Sequence, residues 1–528
     1  MTPSTLCTLI LCLFCTYATA QDLGNGTYRN PVINADYSDP DACAAGPDFY
    51  MVASSFNCIP GLPVLHSTDL VNWSLIGHAL LRQPPYDHFS KVQHGGGVWA
   101  PSIRYHKNEF YIYYPDPDFG IYMIKARSAK GPWSDPVLVK EGKGIIDPCP
   151  FWDDDGQAYL IHAYAGSRAG IKSVLTLNHM NAAGTTVTDA GILVVDGHPS
   201  NPTLEGPKLY KRNGYYYIFA PAGGVSTGWQ LILRSKKIEG PYEEKIVMDQ
   251  GNTPINGPHQ GAWVTTTAGT DWFLHFQDKD AYGRVLHLQP MRWVNDWPVI
   301  GIDKDGDGKG EPVITYKKPL SNSIITAPPT SDEFNTSHLG LQWQWQANPL
   351  PTWGMLSPAK GTLRLFSAKL PDSLHNYWDV PNLLLQKFPN DTFTVTTACK
   401  FTPNPNLEGE RTGLIIMGAD YASLSILKKE KELLLVYSTC KNADKGKAEN
   451  QQVITTLSDS SCYFRVKVTP GAVCQFSYSS NGKDFTTINE TFTAKPGRWI
   501  GAKVGLFCTR PGQINDAGYA DYDWFRIQ

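Results

Sequence analysis

The chain has 528 residues and a formal net charge of −3, so it has room for more than one domain. Its 46 Lys and Arg and 49 Asp and Glu form no basic cluster, which argues against nucleic acid and anionic membrane as partners. Aromatic residues make up 12% of the chain, which suits either sugar stacking or the interiors of many small sheets.

Residues 1–20 read as a secretory leader. Leu6 to Tyr17 is apolar apart from threonines and cysteines, and Ala18-Thr19-Ala20 offers a small-x-small cleavage site before Gln21. The run is too short to span a bilayer, and no later stretch reaches 18 consecutive apolar residues, so a soluble protein exported to the periplasm or medium is expected. Three of the eleven cysteines fall in the leader. The remaining scattered cysteines are expected to be buried thiols rather than a disulfide framework, although Cys43 and Cys58 could pair. Sequons occur at Asn25, Asn72, Asn335, Asn390 and Asn489, which matter only in a glycosylating host.

From Asp39 onward one pattern recurs. A strand-like run carrying Pro and, in most copies, an acid leads through a polar turn into an aromatic, β-rich run. Asp39-Pro40-Asp41 leads to Asp48–Val52, Trp99-Ala100-Pro101 to Glu109–Tyr114, Ile146-Asp147-Pro148 to Tyr159–His162, Glu205-Gly206-Pro207 to Tyr215–Phe219, and His259-Gln260-Gly261 to Asp271–Phe276. Each copy has a second half, such as Pro63–Ser67 ending at Trp73 and Tyr122–Ala126 ending at Trp133; Ser173–Leu177 is the weakest of these. A repeat of roughly 40–50 residues built from short strands marks propeller blades. Five four-stranded blades over 21–320 are predicted, with Asp39, Asp147, Glu205 and His259 meeting at the central axis.

Near the end of this region, Asp303 to Glu311 places acids at alternate positions like the start of a calcium loop. Ile314 stands where the bidentate Glu belongs, so a polar turn is expected. Residues 321–330 are rich in Ser, Thr and Pro and read as a linker. Strand-like runs at Phe393–Ala398, Leu414–Met417, Leu433–Tyr437, Tyr463–Val468 and Val504–Cys508 follow, with no amphipathic helix among them. They predict a β-sandwich or jelly roll over 331–528. The fold class is therefore all-β.

Two carboxylates facing each other across a sugar-sized gap are the working parts of glycoside hydrolysis. A third nearby raises its neighbour's pKa by like-charge repulsion. Three hub acids thus allow an acid, a base and a modulator, whereas any one acid before a turn is ordinarily a solvated cap. His259 taken alone reads as a hydrogen-bonded structural histidine; beside the acids it could be an axial ligand of a hard cation completed by water and carbonyls. Arg284 either clamps sugar hydroxyls or sits in a surface turn, and Trp99 is either blade core or a stacking platform.

Asn30-Pro31-Val32 with Ser38-Asp39-Pro40-Asp41, then Gly97-Val98-Trp99-Ala100-Pro101-Ser102-Ile103, Ile146-Asp147-Pro148, Glu205-Gly206-Pro207 and Gly257-Pro258-His259-Gln260-Gly261 resemble glycoside hydrolase family 43. These are inverting β-xylosidases and α-L-arabinofuranosidases on a five-bladed β-propeller. Asp332-Glu333-Phe334, Leu341-Gln342-Trp343 and Ala520–Phe525 resemble the concanavalin-like sandwich of xylosidase-type members. The resemblance implies Asp39 as general base, Asp147 as pKa modulator and Glu205 as general acid. It also implies a sugar-binding Arg284, a His259 that helps hold an axial calcium, and terminal xylose or arabinose of xylan, arabinoxylan or arabinan as substrate. Tyr114–Gly120 departs from the commoner threonine- or serine-containing version and points to a distinct subgroup. A retaining fructosidase and a non-catalytic carbohydrate-binding propeller are the competing readings.

Overall fold

The computed structural model describes residues 21–321 and 324–528. The expected leader, Met1–Ala20, lies outside the described residues.

Five antiparallel four-stranded sheets follow one another in chain order. The first is Asp41–Ala45, Asp48–Val52, Gly61–Ser67 and Trp73–Leu80; the last is His259–Thr265, Asp271–Asp278, Arg284–Val294 and Trp297–Ile300. In the second and fourth blades the second and third strands are the most buried, as in Glu109–Asp116 and Gly120–Ala126 of the second blade. Sheets buried on both faces need such runs, and neighbouring blades share cores. Ile146 and Leu177 of the third blade cluster with Leu209 and Leu231 of the fourth.

The ring is closed by a segment ahead of the first blade. Thr27–Arg29 pairs with Thr315–Lys317. Tyr28 Oη donates to the Leu288 carbonyl at 2.8 Å, and Asn30 Nδ2 donates to the carbonyls of Leu288 and Val313, each at 2.8 Å. Residues 27–37 are thereby held against the fifth blade.

The C-terminal region is a sandwich of an eight-stranded and a seven-stranded sheet. Every strand expected there is present and longer than its sequence core; Phe393–Ala398, for example, lies within Phe393–Thr402. Alternating inward residues such as Val395, Phe464, Val466 and Phe525 make one core between the sheets.

Propeller and sandwich are joined by more than the linker. Trp345 and Ile59 exchange backbone hydrogen bonds at 2.6 and 2.9 Å, extending a sandwich strand onto the first blade. Tyr282 of the fifth blade is part of the sandwich core, and its hydroxyl accepts from the Ala472 amide at 2.8 Å. All eight described cysteines are free thiols, seven of them buried and Cys43 half-buried. Among the described residues no helix is long and apolar enough to cross a membrane.

The loop from Asp303 to Glu311 is a turn held by its own acids. Asp303 Oδ1 accepts from the Gly306 amide and Asp307 Oδ1 from the Lys309 amide, both at 2.7 Å.

Candidate active site

Four of the five blades share a kink at the innermost strand. Asp39 and Asp147 have φ values of +54° and +55°, and Gly206 (+59°) and Gln260 (+39°) hold the same step in the fourth and fifth blades. A non-glycine residue there costs about 1–3 kcal/mol, and Asp, with its short polar side chain, adopts it most readily after Gly. The ladder slips between Ile146 and Cys149, and again between His259 and Gly261. Such bulges re-aim side chains. This corrects the expectation that Asp39, Asp147, Glu205 and His259 are equivalent. Glu205 and His259 stand one residue before the kink, the step that Ser38 and Ile146 hold in their blades.

Asp39 is 5% exposed. Its Oδ2 accepts from the hydroxyls of Ser38 and Ser54, each at 2.6 Å, and Arg284 Nη1 donates to Oδ1 at 3.1 Å. Arg284 also donates to Ser38 Oγ at 2.9 Å and is buried, which rules out the surface-turn reading. Nothing in the sequence marked Ser38 or Ser54 as partners of this acid, since hydroxyls beside an Asp are common.

Asp147 is 1% exposed. Its Oδ2 accepts from the Gly206 amide at 2.7 Å and from Gln260 Nε2 at 3.3 Å. Burial first, and then the Glu205 charge, push Asp147 up to about 8, while Lys208 and the Gly206 amide pull it down; Asp39 adds a smaller upward push. The three acids therefore do converge. The upward displacement falls on Asp147, the acid that the resemblance implies as the modulator of its neighbour. Lys208, fully buried, donates to Ser102 Oγ at 2.9 Å. Neither it nor Gln260 was recognised from sequence, although Gln260 lies inside the Pro258–Gly261 motif.

Glu205 is more open to the cleft than the other two acids, with a side chain 21% exposed. Its Oε1 lies 2.9 Å from His259 Nε2. The other ring nitrogen, Nδ1, is buried without a hydrogen-bond partner among the described residues. The only described group of three or more His, Cys, Asp or Glu side chains close enough to share an ion is Asp303, Asp305 and Asp307, in the surface loop.

Both domains wall the site. Trp99 is half-buried, its indole N–H donating to the Gly95 carbonyl at 2.8 Å, and Arg168 lies 5.5 Å above its ring. Trp499, from the turn before the sandwich strand Lys503–Arg510, meets Trp99 edge-on at 6.2 Å and lies 5.7 Å from the Arg284 guanidinium carbon. It is 47% exposed, a large apolar ring left open beside a buried ion pair. Pro496-Gly497-Arg498-Trp499 reads in sequence only as a turn.

The profile of "Glycosyl hydrolases family 43" matches residues 28–298, which contain every acid of this site. The chain belongs to glycoside hydrolase family 43. It is a glycoside hydrolase, and the profile "Beta xylosidase C-terminal Concanavalin A-like domain" covers residues 331–528. A β-xylosidase of Formosa agariphila is 34% identical over 96% of this chain and 90% of its own. A non-reducing end α-L-arabinofuranosidase of Bacteroides ovatus is 30% identical over 98% of both. Among solved structures, a GH43 protein from Bacillus licheniformis superposes with a TM-score of 0.81 at 26% identity, covering 95% of this chain and 99% of that one. The family 43 propeller and sandwich thus run the length of both.

Proposed function

We propose that this family 43 enzyme is exported and removes terminal xylose or arabinose units from plant cell-wall polysaccharide with inversion. The observation that carries the reading is the division of labour among the three acids. Asp39 is ion-paired to Arg284, Asp147 is sealed and pushed upward by burial and by the Glu205 charge, and Glu205 alone of the three has a side chain open to the cleft.

In this reading Glu205 donates a proton to the leaving oxygen. Asp39 takes one from a water attacking the opposite face of the sugar. Ser38, Ser54 and Arg284 fix the orientation of the Asp39 side chain, so little reorganisation accompanies the reaction. Asp147, held by the Gly206 amide and Gln260, lies within electrostatic reach of Glu205 and is its modulator. Inversion requires space for water, so the carboxyls of Asp39 and Glu205 should stand about 6.5–9.5 Å apart rather than the roughly 5–5.5 Å of a retaining pair. The Trp499 wall from the sandwich supports action at chain ends, because it closes one side of the cleft. The names of the relatives support both xylose and arabinose, and the leader-like residues 1–20 support export.

The axial calcium belongs to the same proposal. His259 Nδ1 is the available donor atom, and water would supply the oxygens a hard cation requires. Held there, the ion would fix the imidazole that touches Glu205.

Hydrolysis of aryl β-xyloside and aryl α-L-arabinofuranoside, followed by proton NMR of the first-formed sugar, tests the reading. Inverted product from either glycoside is expected. Retention of configuration, or no turnover of both, would overturn it.

A further inference from the structure

Asp36 lies outside every motif that led to the site, and it is 4% exposed. One carboxylate oxygen accepts from the Arg284 backbone amide at 3.0 Å. The other accepts from the Gly501 amide of the sandwich, also at 3.0 Å. Its own carbonyl accepts from Lys387 Nζ, again of the sandwich. A single buried carboxylate thus bonds at one end to the arginine that holds Asp39, and at the other to the chain two residues beyond Trp499.

The surroundings leave this joint little freedom. Tyr37 N donates to the Arg284 carbonyl at 2.9 Å, and Ala502 N donates to the Ala281 carbonyl at 2.7 Å. A Cβ on Gly283 would lie 2.5 Å from the Asp36 carboxyl carbon, and one on Gly501 would lie 2.7 Å from the Gly283 nitrogen. Both glycines are needed for two backbones from different domains to meet at the carboxylate.

We infer that Asp36 is a positioning residue that couples the seating of the sandwich to the placement of Arg284, and so sets the gap between the base and the Trp499 wall. The inference rests on the glycosidase reading for its consequence in rate, but not for the joint itself. Asp36→Asn replaces one acceptor by a donor facing an N–H group. A misplacement of well under 1 Å at Arg284 is enough to cost about tenfold in kcat/KM.

The test is a double-mutant cycle of Asp36→Asn with Trp499→Ala on whichever aryl glycoside the parent enzyme hydrolyses, together with amide hydrogen exchange of the peptides containing Arg284 and Gly501. Expected are a loss of about tenfold for Asp36→Asn, faster exchange at both amides, and a Trp499→Ala effect that is much smaller in the Asp36→Asn background, since coupled residues are not additive. Multiplying losses, or unchanged protection of Gly501, would overturn the inference. If the parent hydrolyses neither glycoside, the proposed function fails, while exchange at the two amides still decides the joint. Gly501→Ala strains the same contact from the other side and should reproduce the phenotype. Aggregation of both variants would make Asp36 a folding residue and overturn its positioning role.

Discussion

At the scale of single residues, the three acids have different surroundings and so make different predictions. In the proposed mechanism, Asp39→Asn and Glu205→Gln each remove a proton-transfer group without changing shape. Each should lower kcat about 10²–10⁴-fold with the melting temperature nearly unchanged, as steady-state kinetics and calorimetry would show. Asp147→Asn should lose activity and gain stability in a pH-dependent way. The carboxyl titrates near 3.8 in the unfolded chain and at about 8 in the folded one. Between those values the native chain holds a proton that the unfolded chain has released, so stability falls as pH rises through the window. Each unit of that displacement is worth about 1.4 kcal/mol. Asn has no proton to lose, so the melting temperature of Asp147→Asn should rise relative to the parent as pH goes from about 5 to about 8. A constant difference across that range would mean that Asp147 is not displaced.

At the scale of elements, exposure separates the sequons that pattern alone left equal. Asn72 is 5% exposed, and its Nδ2 donates to Asp22 at 2.9 Å and to Asp69 at 2.7 Å. Asn25, Asn335 and Asn489 are exposed. In a glycosylating host, peptide mass spectrometry should find sugar at these three positions and none at Asn72. The turn carrying Trp499 is the other element with a consequence. Its ring can stack on a sugar only while the turn is seated against Arg284. Trp499→Ala should therefore raise KM about five- to tenfold, the worth of one aromatic contact, with a smaller change in kcat. Release of internal fragments from a linear oligosaccharide, absent in the parent, would be the accompanying product change.

At the scale of the whole molecule, the two domains share one core and one active site. Tyr282 lies in the sandwich core, Trp345 pairs with Ile59, and Lys503 reaches Cys58 Sγ at 2.9 Å. A chain ending at Pro319 would expose Tyr282 and Ile59 to water and leave Asp36 without Gly501. It should be poorly soluble or weakly active, judged by gel filtration and by specific activity on the aryl glycosides. Full specific activity would show that the sandwich is only an accessory.

What the sequence determined by itself is what local pattern and repetition can encode. Five returns of a strand, a polar turn and an aromatic strand predict the blades, because each blade must bury both faces of its middle strands. Asp39, Asp147 and Glu205 are legible because each stands beside Pro or Gly at the start of such a return. The kink is not legible, since Asp and Gly mark a turn without saying which residue is twisted; hence the repeat places Glu205 and His259 level with Asp39, although they stand one residue earlier. Tertiary structure alone decided the partners. Ser54 reaches Asp39, Gln260 and Lys208 surround Asp147, and Trp499 arrives from more than two hundred residues beyond Arg284. The physical reason is that a side chain's charge and orientation depend on groups brought near by packing. Those groups, hydroxyls, amides and one exposed indole, are too common in sequence to stand out.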